Sequence, residues 1–127
     1  MCATIHVTDF ELKGKNKMKD VVKLSEDGGI LTALLCCEID HHTAKPIRER
    51  IDRALFEKKP RTLIIDFSGV EFMDSSGIGL IIGRAECAEA VGALVRIEGM
   101  SPTLLRLLRI AGLERVKNLT VVRKERI

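Results

Sequence analysis

The segment Asp74-Ser75-Ser76-Gly77-Ile78-Gly79 contains the residues whose types and spacing are best suited to chemistry. It follows an apolar run at residues 62–67 that predicts a strand, and it precedes a helical pattern of apolar residues. The two serines therefore fall where a strand edge leads into a helix. The unpaired N–H groups and the positive dipole end of a helix start favour an anion. We expect Gly77 and Gly79 to let another molecule approach this backbone closely.

The serines could instead cap the helix or act as the nucleophile of a hydrolase. Asp74, Ser75 or Ser76 could merely cap the helix, because Asp and Ser are among the preferred residues at a helix start. A hydrolase nucleophile elbow requires glycine two residues before and two residues after the serine. Met73 stands at that distance before Ser75, and Asp74 stands there before Ser76. The hydrolase interpretation is therefore excluded, and the capping interpretation stays open.

Two nucleotide-binding motifs also fail on spacing. A dinucleotide fingerprint has the pattern G-x-G-x-x-G, whereas Gly77, Gly79 and Gly83 leave one residue too many. A P-loop needs lysine followed by serine or threonine after its glycines, and no lysine occurs between Gly83 and Val91. The segment thus matches none of three common enzymatic motifs.

Candidate metal ligands are few. We expect the adjacent residues His41 and His42 to point apart in a loop before a helix, and His6 is remote in sequence, so no metal site is predicted. The cysteines contain no C-x-x-C spacing and include an adjacent pair, which fits neither a zinc knuckle nor a disulfide framework. We expect reduced thiols at all four: Cys2, Cys36, Cys37 and Cys87.

Composition narrows the function class by exclusion. The chain has 127 residues, of which 46% are hydrophobic and 31% charged, and this predicts one soluble globular domain. With four Phe and no Trp or Tyr, it has almost no aromatic side chains on which the bases of single-stranded nucleic acid could stack. Most of the net charge of +3 comes from basic tracts at residues 13–19 and 123–126, which we interpret as solvated flanks. No signal-peptide pattern or membrane-length apolar run occurs, so a cytoplasmic location is expected.

The spacing of apolar residues predicts the strands and helices that must position the serines. From residue 20 onward it switches between strand-like and helix-like, which predicts an α/β fold: one domain with a mixed sheet of about five strands packed against three to four helices. Strands are predicted at residues 21–24, 30–35, 62–67, 93–97 and 119–122, the third of them buried on both faces. Residues 26–29 predict a hairpin turn.

Three principal helices are predicted between these strands. The first begins near His42 or Thr43 and has Pro46 in its first turn, where a missing N–H is tolerated. The second spans about residues 77–91. Its Arg84 could pair with a carboxylate or a phosphate, but we expect it to be exposed and to have neither partner. The third runs to residue 110 after a cap at Ser101-Pro102.

The first seventeen residues stand apart as an N-terminal extension, before a domain at residues 18–127. Ile5 and Val7 alternate with polar residues, which favours an extra edge strand, with a disordered tail as the alternative. Residues 14–17 have the composition of a linker or turn.

Three motifs together resemble the bacterial anti-sigma factor antagonists of the STAS domain family. They are Glu38-Ile39-Asp40-His41-His42-Thr43-Ala44, the stretch from Phe72 to Gly79 with Gly83-Arg84, and Ser101-Pro102 through Leu113. The motifs occur in order between about Met18 and Val122. This chain departs from the family at Cys37, where glycine is common, and in its N-terminal extension.

The resemblance implies a binding protein and not an enzyme. Such antagonists bind an anti-sigma factor that is also a serine kinase, and thereby release its sigma factor. The kinase phosphorylates a serine that corresponds to Ser75, with Ser76 as the second candidate, and a PP2C-type phosphatase removes the phosphate. We expect no cofactor, no metal, no direct contact with nucleic acid and no membrane, and a monomer when free. The implied partner-binding residues are Asp40, His41, His42, Thr43, Asp74, Ser75, Ser76, Gly77 and Gly79.

Individual roles on this surface are hypotheses. We expect Asp40 to orient or border Ser75, and His41, His42 and Thr43 to form the binding rim. Two alternatives stay open: a small-molecule or nucleotide-binding module whose helix start holds a phosphate ligand, and a subunit of a larger STAS-containing signalling complex.

Overall fold

A computed structural model describes residues 3–4 and 21–122 of the chain, and every structural statement below concerns these residues. The strands are β1 (Ala3–Thr4), β2 (Val22–Asp27), β3 (Ile30–Leu35), β4 (Thr62–Asp66), β5 (Leu94–Glu98) and β6 (Leu119–Val121). The helices are α1 (His41–Lys58), α2 (Ser75–Ala90) and α3 (Pro102–Ala111), followed by a short 3₁₀ turn at Leu113–Arg115.

The strands form one mixed sheet in sequence order from β1 to β6. The pairs β1–β2 and β2–β3 are antiparallel, and the pairs from β3 to β6 are parallel. A helix joins each parallel pair, and because such crossovers are right-handed, α1, α2 and α3 all cross the same face of the sheet. The predicted α/β domain with a mixed sheet is therefore confirmed, and the two-residue strand β1 extends the sheet at its edge.

The hairpin between β2 and β3 has the two-residue turn that its sequence predicts. Gly28 and Gly29 have φ values of 61° and 86°, and Asp27 pairs with Ile30 across the turn. Two successive positive φ angles define the turn type that matches the twist of a hairpin and favours glycine. Strand β2 starts one residue later than predicted and continues as far as this turn.

The central strand β4 is buried on one face only. Leu63 and Ile65 are fully buried, whereas Thr62, Ile64 and Asp66 on the opposite face are partly exposed. The prediction of a strand buried on both faces was wrong, because all three helices cover the same side of the sheet.

The first helix begins earlier than predicted. Asp40, and not His42 or Thr43, is its N-cap, so α1 starts at His41. Pro46 therefore lies in the second turn and not in the first, where its missing N–H would be without consequence.

Helix α2 also starts earlier than predicted, whereas α3 starts where the sequence predicts. Helix α2 starts at Ser75, two residues before Gly77. Helix α3 starts as predicted, since the Ser101 hydroxyl oxygen accepts a hydrogen bond of 3.2 Å from Leu104 N–H. It ends at Ala111, and the next residue, Gly112, caps it with a left-handed φ of 77°.

Parts of the chain that carried predictions lie outside the described residues. They include the alternating residues Ile5 and Val7, His6, Cys2 and both basic tracts. The backbone of Ala3 and Thr4 is described, and it pairs with Glu26 and Ser25 of β2. Within residues 3–4 and 21–122, no helix is long and apolar enough to cross a membrane.

Candidate functional site

Helices α1 and α2 begin side by side because the segments before them pair with each other. The Ile39 N–H donates to the Phe72 carbonyl at 3.0 Å, and the Asp74 N–H donates to the Ile39 carbonyl at 3.1 Å. These bonds form an isolated parallel bridge between Ile39 and Met73. Asp40 and Asp74 therefore stand next to each other as the caps of two helices at the carboxyl end of the parallel strands, where open α/β sheets commonly bind ligands.

Asp40 caps α1 through a reciprocal pair of hydrogen bonds. Its Oδ1 accepts from the N–H of His42 at 2.9 Å and of Thr43 at 3.0 Å. The Thr43 hydroxyl oxygen accepts from the Asp40 N–H at 3.0 Å. The N–H of Thr43, aided by that of His42, lowers the pKa of the Asp40 carboxyl against a smaller effect of desolvation. These bonds fix the start of α1 and place Asp40 at the border of the site. Among the described residues, no hydrogen bond joins Asp40 to Ser75, so Asp40 does not orient that serine directly.

The lowered pKa of Asp40 predicts a pH-dependent contribution to stability. A carboxylate with a depressed folded pKa stabilises the protein above its unfolded pKa of about 3.9, and this contribution is lost as the pH falls through the folded pKa. We expect Asp40→Asn to unfold at a lower urea concentration than the wild type at pH 7, with the difference shrinking below pH of about 3.9. The exposed Glu71→Gln serves as the control, and a pH-independent difference for Asp40→Asn would contradict the prediction.

Asp74 caps α2, which leaves the serine hydroxyls free for other roles. Its Oδ1 accepts from the Ser76 N–H at 2.8 Å. The capping interpretation of this motif is thus correct for Asp74. Ser75 is the first residue of the helix and is exposed, whereas Ser76 is partly buried. Of the two serines, Ser75 is the more accessible to another protein.

The two glycines of the motif have different surroundings. Gly77 is buried, and a Cβ there would overlap Cγ and Sδ of Met73, whose side chain is 3% exposed. Gly79 is exposed, and a Cβ there would meet no atom within 4 Å. Packing inside the domain therefore requires Gly77. We expected both glycines to let a partner approach the backbone. The exposed Gly79 leaves room for such an approach, whereas the buried Gly77 does not.

Gly77→Ala is expected to destabilise the domain by about 1–2 kcal/mol, because overpacking beside the enclosed Met73 outweighs the better helix propensity of alanine. The matched control is Gly83→Ala in the same helix, where a Cβ meets nothing within 4 Å. We expect that control to gain about 0.5–1 kcal/mol. Urea unfolding measures both changes, and equal effects of the two variants would contradict the packing argument.

A buried ion pair joins α1 to α2 behind the site. Arg84 is 3% exposed, and its Nε lies 2.7 Å from Oδ1 of Asp52. Its Nη2 lies 3.1 Å from the other carboxylate oxygen, and Nη1 donates to the Leu80 carbonyl at 3.4 Å. The prediction of an exposed, unpartnered Arg84 was wrong, because position 84 continues the buried stripe of α2 through Gly77 and Leu80. That period was readable in the sequence, but the partner Asp52 was not.

The two histidines lie against each other. The ring centroids of His41 and His42 are 4.1 Å apart with an angle of 35° between the planes. The expectation that they point apart was wrong, since consecutive residues of the first turn can bring their rings into an offset contact. In the described part of the chain, no three His, Cys, Asp or Glu side chains are grouped so that they could hold a metal ion.

Three cysteines lie in the described residues, and no disulfide joins any two of them: Cys36, Cys37 and Cys87. Burial raises the pKa of the Cys37 thiol against a smaller, opposite effect of its hydrogen bond with Thr43, and the raised pKa disfavours the reactive thiolate.

A groove runs between the first halves of α1 and α2, beside the two caps. It encloses about 450 Å³. The residues along it are His41, Ala44, Lys45 and Arg48 from α1, and Ser76, Gly79, Leu80, Gly83 and Arg84 from α2. Sequence reasoning did not find this groove, because the contact between the helices depends on tertiary packing.

Phe72 is a second surface feature that sequence reasoning did not assign to the site. Its side chain is 52% exposed, although its carbonyl takes part in the bridge to Ile39. A large exposed aromatic residue beside two helix starts is a suitable anchor for a protein partner. The sequence signal for this exposure is its position next to Met73, because neighbouring side chains in an extended segment point to opposite sides and Met73 is buried.

The fold and site define a class of small α/β domains in which two capped helix starts meet at one edge of a mixed sheet. Residues 22–125 match the family model described as the STAS domain. The chain therefore belongs to the STAS domain family, and the resemblance found in the sequence is confirmed.

Individual relatives support this membership. The anti-sigma F factor antagonist of Lysinibacillus sphaericus is 40% identical over 76 residues, which are 60% of this chain and 65% of that protein. The match thus spans slightly less than two thirds of that relative. The anti-sigma F factor antagonist of Paenibacillus polymyxa is 30% identical over 95 residues, which are 75% of this chain and 81% of that protein.

Solved structures agree with the fold. The anti-sigma factor antagonist SpoIIAA in its unphosphorylated form has a TM-score of 0.64 and 28% identity, covering 82% of this chain and 89% of that one. The Bacillus cell fate determinant SpoIIAA in its phosphorylated form has a TM-score of 0.62 and 31% identity, covering 81% and 92%.

Proposed function

We propose that this chain is an anti-sigma factor antagonist: it binds an anti-sigma factor and thereby releases the sigma factor that the anti-sigma factor holds. The observation that carries the proposal is the exposed Ser75 at the start of α2, directly beside the capped start of α1. Relatives of the chain are antagonists of this kind. In this proposal the chain acts in the cytoplasm and is a monomer when free.

The partner in this proposal is an anti-sigma factor with serine kinase activity, and its target is Ser75. The Ser75 side chain is exposed, and the cap of α2 uses Asp74 instead. A related antagonist exists in a phosphorylated form, which supports a covalent switch in this fold. The chain is then a substrate of the kinase and not an enzyme, and a PP2C-type phosphatase restores the active form.

In this proposal, phosphorylation of Ser75 leaves the domain folded but weakens its complex with the anti-sigma factor. The phosphate adds a charge of about −1.5 to −2 at the positive end of the α2 dipole, where the folded domain tolerates an anion. Asp40 and Asp74 already cap the two helices beside it. A docked partner would therefore have to bury a dianion in acidic surroundings, which opposes binding.

The proposed binding surface combines the two helix starts with their neighbours. Ser75 lies at its centre, and the exposed Phe72 and Gly79 lie along the chain on either side of it. Gly77 is left out of the contact surface because it is buried. The remaining members are Asp40, His41, His42, Thr43, Asp74 and Ser76.

The direct test mixes the purified chain with a preformed complex of the anti-sigma factor and sigma factor from the same genome. We expect the chain to displace the sigma factor, so that a new complex with the anti-sigma factor elutes in size-exclusion chromatography. If the sigma factor stays bound at a large excess of this chain, the proposed function is wrong.

A nucleotide-binding module is a second candidate, and the basic residues of the groove are the observation that favours it. Its test is a thermal shift with ATP, GTP or phosphate in the absence of any kinase. A large shift would support this alternative, whereas an antagonist that only accepts phosphate covalently should show none.

A further inference from the structure

The groove between α1 and α2 is open because its lining residues are small. A Cβ placed on Gly79 or on Gly83 would meet no atom within 4 Å, so the space above the α2 wall is empty. Ala44 supplies a small side chain on the α1 wall. At about 450 Å³ the groove is large enough to take several side chains of another protein.

The side chains along the groove carry positive charge without a matching negative charge. Lys45 and Arg48 are exposed on the α1 wall, and neither belongs to the ion pairs found within the described residues, Arg84–Asp52 and Arg96–Glu98. Arg84 is different, because Asp52 already neutralises it. No Asp or Glu is among the lining residues.

The helix starts do not add to this positive charge. The carboxylates of the caps Asp40 and Asp74 offset the positive dipole ends of α1 and α2, so the positive charge of the groove comes from Lys45 and Arg48. His41 lines the groove at this end and also lies in the first turn of α1. A segment that binds along the groove is therefore expected to be acidic.

We propose that this groove receives an acidic segment of the anti-sigma factor, with carboxylates placed against Lys45 and Arg48. The inference rests on the proposed function and adds the chemistry of the partner. The occupant is assigned to the same partner because His41, Ser76 and Gly79 belong both to the groove and to the proposed binding surface. The groove thus extends that surface from Ser75 along the two helices.

Charge reversal tests the inference. We expect Lys45→Glu combined with Arg48→Glu to weaken binding of the anti-sigma factor at least tenfold and to flatten its dependence on salt, because the lost contacts are ionic. The neutral pair Lys45→Gln and Arg48→Gln should fall between this variant and the wild type. The matched control reverses two exposed charges elsewhere, Arg106→Glu and Lys117→Glu, and should bind as the wild type does.

The outcomes separate this inference from the proposed function. If the wild type binds the anti-sigma factor and the charge-reversed groove variant binds equally well, the groove inference is wrong and the proposed function stands. If the wild type displaces no sigma factor, the proposed function fails and the inference with it. If ATP or inorganic phosphate raises the melting temperature of the wild type but not of the groove variant, the groove holds a small anion, and the acidic segment is overturned as its occupant.

Discussion

Ser75→Asp is expected to weaken binding of the anti-sigma factor by about a thousandfold, which corresponds to about 4 kcal/mol. Ser75→Ala is expected to bind as the wild type does. The difference arises because Ser75 is exposed at the proposed interface and a new carboxylate there would be buried without a partner. Asp40 and Asp74, the caps of the two adjoining helices, add repulsion to that cost.

Isothermal titration with the anti-sigma factor measures this effect. The matched control is Thr103→Asp, which places the same charge on an exposed residue in the first turn of α3, outside the proposed binding surface. We expect the control to keep wild-type affinity. Unchanged affinity of Ser75→Asp would contradict an electrostatic switch at this position.

Asp52→Ala is expected to destabilise the domain by about 3 kcal/mol, because it leaves the buried guanidinium of Arg84 without its counter-ion. That is a large share of the stability of a typical domain, about 5–15 kcal/mol. Replacing both members, Asp52→Leu with Arg84→Met, should recover most of the loss, because a buried ion pair can be exchanged for apolar side chains at little cost.

The exposed pair of Arg96 and Glu98 provides the control for this experiment. Its Nη2 to Oε2 distance is 2.8 Å, close to that of the buried pair, but its side chains are 47% and 32% exposed. Glu98→Ala should therefore cost less than about 1 kcal/mol in urea unfolding. Equal losses for Asp52→Ala and Glu98→Ala, or no recovery in the double variant, would contradict the role of burial.

The order of elements could be predicted from the sequence because each apolar period is local. The Asp-Gly-Gly turn predicts the hairpin, and Ser101-Pro102 predicts the start of α3, since capping and turn chemistry depend on neighbouring residues. The position of the serines at a strand-to-helix junction followed from the same local signals. The helix starts were displaced by one or two residues because several adjacent polar residues can cap, and Asp40 and Asp74 did so.

The features that depend on distant residues could not be predicted. The bridge of Ile39 to Met73 brings the two caps together, and no local pattern marks it. The apolar run of β4 suggested burial on both faces, but the sheet is covered on one side. Arg84 lay on a readable buried stripe, yet its counter-ion is 32 residues away in sequence.

The central claim is that Ser75 is the residue through which the kinase controls binding. The most direct measurement is mass spectrometry of the Ser75 peptide after incubation with the anti-sigma factor and ATP, with size-exclusion chromatography of the same sample. We predict phosphate on Ser75 and dissociation of the complex, no phosphate on Ser75→Ala, and normal phosphorylation of Ser76→Ala. Phosphate on Ser76, or a complex that persists after Ser75 is fully phosphorylated, would contradict the claim.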